Sequence, residues 1–189
     1  MALKLHGSIF SLAGLRVLVA LYEKDLDFEF VQINMSAREH KTPQAITRYI
    51  SEVYADKGTD LISKDPMKLA IQAVWMEVEG QKFQVVTTKL LVELFFKPMN
   101  GRTTDESVVA EFEKQLESML DVYEQRLTES KYLGGDRFSL PDLHHLPNLQ
   151  TMMMTKMKRH IDSRPHVSAW ASDILSRPSW IKVQAMQSE

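Results

Sequence analysis

The feature that most constrains this 189-residue chain is a strand–helix–strand start that no further strand follows. Leu3 to His6 alternate weakly and read as a short strand ending at Gly7. From about Ser11 to Lys24 the apolar residues Leu15, Leu18, Val19 and Tyr22 recur at helical spacing. Asp27 to Ile33 (DFEFVQI) is rich in aromatic and β-branched residues and reads as a second strand. Strand, helix and strand in so few residues form a βαβ unit, which makes a parallel pair with a right-handed crossover. After Ile33 comes the polar stretch NMSAREHKT, and Pro43 leads into a helix, QAITRYISEVY. Two parallel strands make a poor sheet, because both edges stay open and one face can hardly be covered. The start therefore reads as part of an α/β domain rather than a whole one.

The remainder reads as helical. Asp56 to Pro66 is a polar connector. Lys68 to Lys97 carries Ile71, Trp75, Val78, Val86, Leu90 and Leu94 on one broad face, with Gly80 in its middle and Pro98 as its expected stop. Thr103 and Glu106 make a capping-box pattern ahead of Val109, Phe112, Leu116, Leu120, Tyr123 and Leu127. Gly134-Gly135 is a turn, and a final helix is expected over roughly Pro165 to Ser176, between two Arg-Pro pairs. The most complete local signal is FSLPDLHHLP. Ser139 can cap the amide of Asp142, the Asp142 carboxylate can reach back to Ser139, Phe138 and Leu143 hold the staple positions, and Pro141 sits in the first turn.

Composition narrows the function classes. With 23 basic and 25 acidic residues the net charge is −2, which gives no electrostatic reason to expect nucleic acid or an acidic membrane as partner. Cysteine is absent, which excludes disulfides, thiolate metal sites and a cysteine nucleophile. MALKLHGSIF does not read as a signal peptide, since Lys4 and His6 interrupt the apolar run, and Val17 to Tyr22 is far too short to span a membrane. The expected compartment is the cytoplasm.

Few residues suggest chemistry by themselves. Ser11 lies where the first strand hands over to the first helix. A hydroxyl there can cap the helix, or, beside amides that favour an anion, steady a bound thiolate. His40 and Lys41 could hold a carboxylate together, or form a solvated loop. His144 and His145 are adjacent and point about 100° apart on a helix, so they do not chelate one metal; no metal site is expected. Lys156, Lys158 and Arg159 read as a wet helix face, and Met152, Met153 and Met154 as core or an adaptable apolar surface.

Several stretches together closely resemble a plant phi-class glutathione transferase: HGSIFSLAGLRVLVALYEKDLDFEFVQINM, REHK, AITRYISEVYADKGTDLIS, IQAVWMEVEGQKF, LDVYEQRLTESKYLGGDRFSLPDLHHLP, SRPHVSAW and SRPSW. The resemblance runs over nearly the whole chain in the family's order. It implies an α+β, mostly α, fold: a shortened thioredoxin-like glutathione-binding domain over residues 1–55, a linker over 56–66, and an all-helical domain over 67–189. It implies a detoxifying enzyme, usually a cytosolic homodimer, that joins glutathione as co-substrate to small apolar electrophiles and needs no cofactor. Carried onto this sequence, the resemblance makes Ser11 the catalytic serine. It assigns Leu12, His40 and Lys41 to glutathione binding, and Phe10, Leu12 and Tyr123 to the apolar-substrate site. Between Lys41 and Ala45 the family normally has roughly two dozen more residues, a helix and two strands that complete the sheet. Thr42, Pro43 and Gln44 stand in their place. Two rivals follow from that gap: a non-catalytic binder of small apolar ligands on the same scaffold, and a helical interaction module using the Met-rich surface.

Overall fold

The computed structural model describes residues 3–32 and 43–187. β1 (Leu3–Gly7) and β2 (Phe28–Gln32) pair in parallel, Leu3 opposite Phe28 and Gly7 opposite Gln32, with α1 (Leu12–Glu23) as the crossover. They are the only strands of the sheet among the described residues. Leu5, Phe28 and Phe30 turn toward the helices, while Lys4 and Glu29, opposite in register, pair at 2.7 Å on the other face.

α1 is buried on nearly all sides, which explains why RVLVAL lacks a polar face. Leu15, Leu18, Val19 and Ala20 join the main core, whereas Val17 and Leu21 form a smaller one with Leu26 and with Ile50 of α2 (Pro43–Val53). Beyond α2, the polar connector is fastened to the end of α1. Glu23 accepts bonds from Thr59, Ser179 and, twice, Arg177, and the Lys24 ammonium donates to the Thr59 carbonyl at 3.0 Å. Burial raises the Glu23 carboxyl, but the donors from Arg177, Ser179 and Thr59 hold it below its ordinary pKa. Gly58 makes this approach possible: its φ is +51°, and a Cβ there would stand 2.2 Å from the Glu23 carbonyl oxygen. Gly58→Ala is expected to lower stability by about 3 kcal/mol, read by urea unfolding, because the clash is with backbone and the conformation excludes most side chains. An unchanged midpoint would show that the connector does not pack here.

The long helical rod begins at Pro66 and passes Pro98, two corrections to the expected Lys68–Lys97 helix. α3 (Pro66–Val78) is capped by Asp65, which accepts from the Lys68 amide at 2.9 Å. A π turn at Glu79–Phe83 leads to α4 (Gln84–Leu91), and a second at Val92–Phe96 leads to α5 (Lys97–Met99). Pro98 falls in the first turn of α5, where its missing N–H is no loss, so it does not stop the rod. α6 (Glu106–Glu129) is capped by Asp105 and not by a Thr103–Glu106 box: the Asp105 carboxylate accepts from the Ser107 and Val108 amides.

α7 (Leu140–Met153) is the central rod of the helical part, with every residue from Leu140 to Leu149 buried. Both halves of its capping box form. α8 (Lys158–Asp162), α9 (Pro165–Leu175) and α10 (Pro178–Met186) are the last helices among the described residues. α9 is therefore not the last helix, because the second Arg-Pro pair starts another.

Candidate functional site

The turn between β1 and α1 is built by two serines. Ser8 is buried, and its Oγ accepts from the Phe10 amide at 3.2 Å and from Gln32 Nε2 at 3.3 Å, which ties the turn to β2. Ser11 has extended backbone angles (φ −92°, ψ 115°) and caps α1: its Oγ accepts from the Gly14 amide at 3.2 Å. A Cβ on Gly14 would stand 3.0 Å from the Ser8 carbonyl oxygen, so a glycine lets the helix seat close to the turn. The cap uses a lone pair of Oγ, and the hydroxyl proton has no acceptor among the described residues. The first turn of α1 carries no acidic residue. A half-buried O–H donor thus stands at a helix N-terminus, where amides and macrodipole favour an anion.

The other expected site residues divide. Leu12 follows Ser11 and is half-buried against the main core, and Phe10 precedes it with 74% of its surface exposed. His40 and Lys41 lie outside the described residues. Tyr123 is not at this turn. It is fully buried in the core, on the inner face of α6 with Leu116, Leu120 and Leu127, and packs edge-on to Trp75 at 5.0 Å. Its phenol and His145 Nε2 are 2.9 Å apart, while His145 Nδ1 lies 2.6 Å from the Pro141 carbonyl oxygen. Nδ1 therefore donates to Pro141 and Nε2 accepts from the phenol. Burial pushes Tyr123 well above its ordinary pKa and takes His145 down to about 3. Tyr123 is a core residue, apart from the turn that holds Phe10, Ser11 and Leu12.

His144 and His145 diverge as their spacing requires, and the described residues hold no cluster of three or more groups suited to a metal. Lys156, Lys158 and Arg159 are each paired with an acid, Glu106, Asp162 and Glu113 respectively. Met152 is buried, whereas Met154 is exposed.

Two adjoining cavities lie beside α2 and α3, away from the turn. One of about 250 Å³ opens between α2, α3 and the start of α7, against Gln44, Arg48, Ile62, Leu69, Met76 and Leu140. A wider one of about 500 Å³ shares Gln44, Met76 and Glu77 with it. Behind them is a buried polar cluster that sequence reasoning missed. Arg16 of α1, 1% exposed, donates to Glu79 Oε1 at 2.7 Å and to the His144 carbonyl at 2.7 Å, with Asn148 Oδ1 at 3.5 Å. The available signal was a lone Arg inside the run LRVLVAL.

Known proteins add independent findings. Residues 68–178 match the family model of the glutathione S-transferase C-terminal domain. A glutathione S-transferase of Hyoscyamus muticus is 50% identical over 206 positions, covering 96% of this chain and 97% of its own. One from Silene vulgaris is 46% identical over 216 positions that cover all of both chains. Against 189 residues, 216 positions leave 27 with no counterpart here, the size of the block expected to be missing. Among solved structures, glutathione transferase F2 from Populus trichocarpa superposes with a TM-score of 0.91 at 34% identity, covering 98% of each chain. Maize glutathione S-transferase I in complex with an atrazine glutathione conjugate superposes at 0.85 with 33% identity, covering 100% of this chain and 99% of that one.

Proposed function

The chain belongs to the glutathione S-transferase family, and on that premise we propose that it joins glutathione to small apolar electrophiles through Ser11. The observation that carries the reading is the Ser11 hydroxyl, which caps α1 with its lone pair and keeps its proton to donate. A donor there stabilises the glutathione thiolate, lowers the thiol pKa and so raises the nucleophile available at neutral pH. The thiolate sulfur then attacks the electrophilic carbon, a C–S bond forms and the leaving group departs with its electron pair. Leu12, His40 and Lys41 are assigned to glutathione, the last two to its glycine carboxylate, and exposed Phe10 with Leu12 to the electrophile. Glutathione is a co-substrate, and the family's chemistry needs no further cofactor.

Residues 1–55 form the shortened glutathione-binding unit in this reading, 56–66 the linker, and 67–189 the helical domain. The positions missing here carried the family's anchor for the γ-glutamyl end. Each absent bond to a charged group removes about 1.5–3 kcal/mol of binding, so glutathione binds weakly and turnover is impaired. A cytoplasmic, detoxifying homodimer fits the same reading. No described helix is long and apolar enough to cross a membrane, and Met67, Val74, Val85, Val92 and Met99 leave an exposed apolar series along the α3–α5 rod. The second reading, a non-catalytic binder of small apolar ligands, is favoured by the missing positions and by the 250 Å³ cavity with its Ile62, Leu69, Met76 and Leu140 walls.

Glutathione conjugation to a chloronitrobenzene, parent chain against Ser11→Ala, tests the proposal. Loss of one donor to the developing anion is expected to cost about 100-fold in turnover. No turnover above background in either chain would put the binder reading ahead.

A further inference from the structure

The cluster around Arg16 contains two polar atoms that face each other without a partner. Glu79 and His144 are both completely buried, and Glu79 Oε2 and His144 Nδ1, 4.0 Å apart, make no hydrogen bond among the described residues. The tautomer of His144 follows from its neighbours. The Thr47 hydroxyl lies 3.2 Å from the Gln44 carbonyl and 2.8 Å from His144 Nε2. When it donates to the carbonyl it accepts from Nε2, and in that tautomer Nδ1 keeps a bare lone pair. Glu79 Oε2 is likewise an acceptor, since the carboxylate meets Arg16 through Oε1. Two buried acceptors aimed at one another cost free energy, and a proton between them satisfies both.

We propose that Glu79 and His144 form a one-proton site, in which a carboxyl proton on Glu79 Oε2 faces His144 Nδ1 across 4.0 Å and, by drawing the two groups together, fastens α1 and α2 to the helical part. The site joins four elements: Arg16 from α1, Thr47 from α2, Glu79 from the first π turn, and His144 from α7. Arg16 and Glu79 thereby become positioning residues for Ser11, five residues before Arg16 on α1. That bearing on catalysis rests on the reading of Ser11 above; the proton site itself does not. The other groups that face Glu79 are Gln44 from α2, Tyr123 from α6 and, beyond His144, His145, both last-named rings already hydrogen-bonded to each other.

Burial sets the direction of both groups. It pushes Glu79 up to about 7 against the pull of Arg16 and of a hydrogen bond from the Gln44 side chain, and it holds His144 well below its ordinary 6.5, helped by Arg16 and His145. Between pH 4.5 and 6.5 the unfolded chain keeps its proton on His144 and the folded chain keeps one on Glu79. The number bound is the same in both states, so the pair makes stability flat across that window.

Each single variant breaks the balance, with opposite sign. In Glu79→Gln only the unfolded chain takes a proton at His144, so its unfolding constant relative to the parent should rise about tenfold for each pH unit lowered below 6.5. In His144→Gln only the folded chain holds the proton, on Glu79, so the same ratio should rise about tenfold for each pH unit raised from 4.5 toward 6.5. The measurement is urea unfolding of the full chain, without glutathione, between pH 5 and 6.5. Ratios that do not change with pH, or that slope the same way in both variants, overturn the site. If a variant does not fold, nitrogen-15 NMR of the parent decides. The His144 ring should stay neutral through pH 6.5, with its Nδ1 resonance moving once near pH 7. A ring that titrates by itself near 6.5, or that does not move between pH 5 and 8, overturns it equally.

Discussion

Asp142→Ala is expected to remove about 4 kcal/mol of folding stability, a large part of the roughly 5–15 kcal/mol of a typical domain. Asp142 is fully buried, and each of its oxygens accepts two bonds. Oδ1 takes the Leu133 amide and the Trp170 indole N–H, both at 3.0 Å. Oδ2 takes the Ser139 amide and hydroxyl, also at 3.0 Å. The residue thus joins the start of α7, the turn before it and α9. Burial raises its pKa, and the four donors oppose that rise. Truncation leaves the Leu133, Ser139 and Trp170 donors buried and unsatisfied, each a loss of about 1–3 kcal/mol before relaxation. Asp142→Asn keeps an acceptor for two of the donors and should lose about half as much. Urea unfolding of the parent and the two variants checks the order; a loss below about 1 kcal/mol for Asp142→Ala would mean that the donors find other partners.

That box was legible because all of its parts are local: five consecutive residues, Phe138 to Asp142, place the helix start by themselves. The βαβ start, the connector and the apolar faces of α3, α4 and α6 were legible for the same reason, since periodicity and turn chemistry act over a few residues. Errors arose where two local signals competed. Asp105 outranked Thr103 as a cap, because a carboxylate meets two amides directly. Pro98 reads as a stop in the sequence, but the π turn before it shifts it into a first turn, where it is tolerated. Of the site, only Ser11 could be read from its position between strand and helix. Tyr123 sits at core spacing with Leu116, Leu120 and Leu127, and that spacing accounts for its burial. The Arg16–Glu79–His144 cluster joins residues 63 and 128 positions apart, which no local pattern encodes.

Arg16→Met is expected to cost about 3–5 kcal/mol, because it leaves the Glu79 carboxylate buried without its cation. The guanidinium is 1% exposed and donates to both Glu79 and the His144 carbonyl, and Met fills a similar volume without a donor. The cost is therefore mostly electrostatic and should grow as pH rises through 7, where Glu79 ionises. Met at both Arg16 and Glu79 removes the two charges together. A buried pair replaced by apolar groups is often neutral or stabilising, so the double variant should recover most of the lost stability. Thermal unfolding of the parent, the single and the double variant at pH 8 makes the comparison. A double variant less stable than Arg16→Met would show that the cost lies in the His144 carbonyl contact and the shape of the site. If the double variant is stable but gains the pH dependence expected of Glu79→Gln below pH 6.5, the ion pair is needed for control rather than for folding. Arg16 sits one helical turn and a residue beyond Ser11, so its buried charge fixes the helix that Ser11 caps, despite the stability forgone.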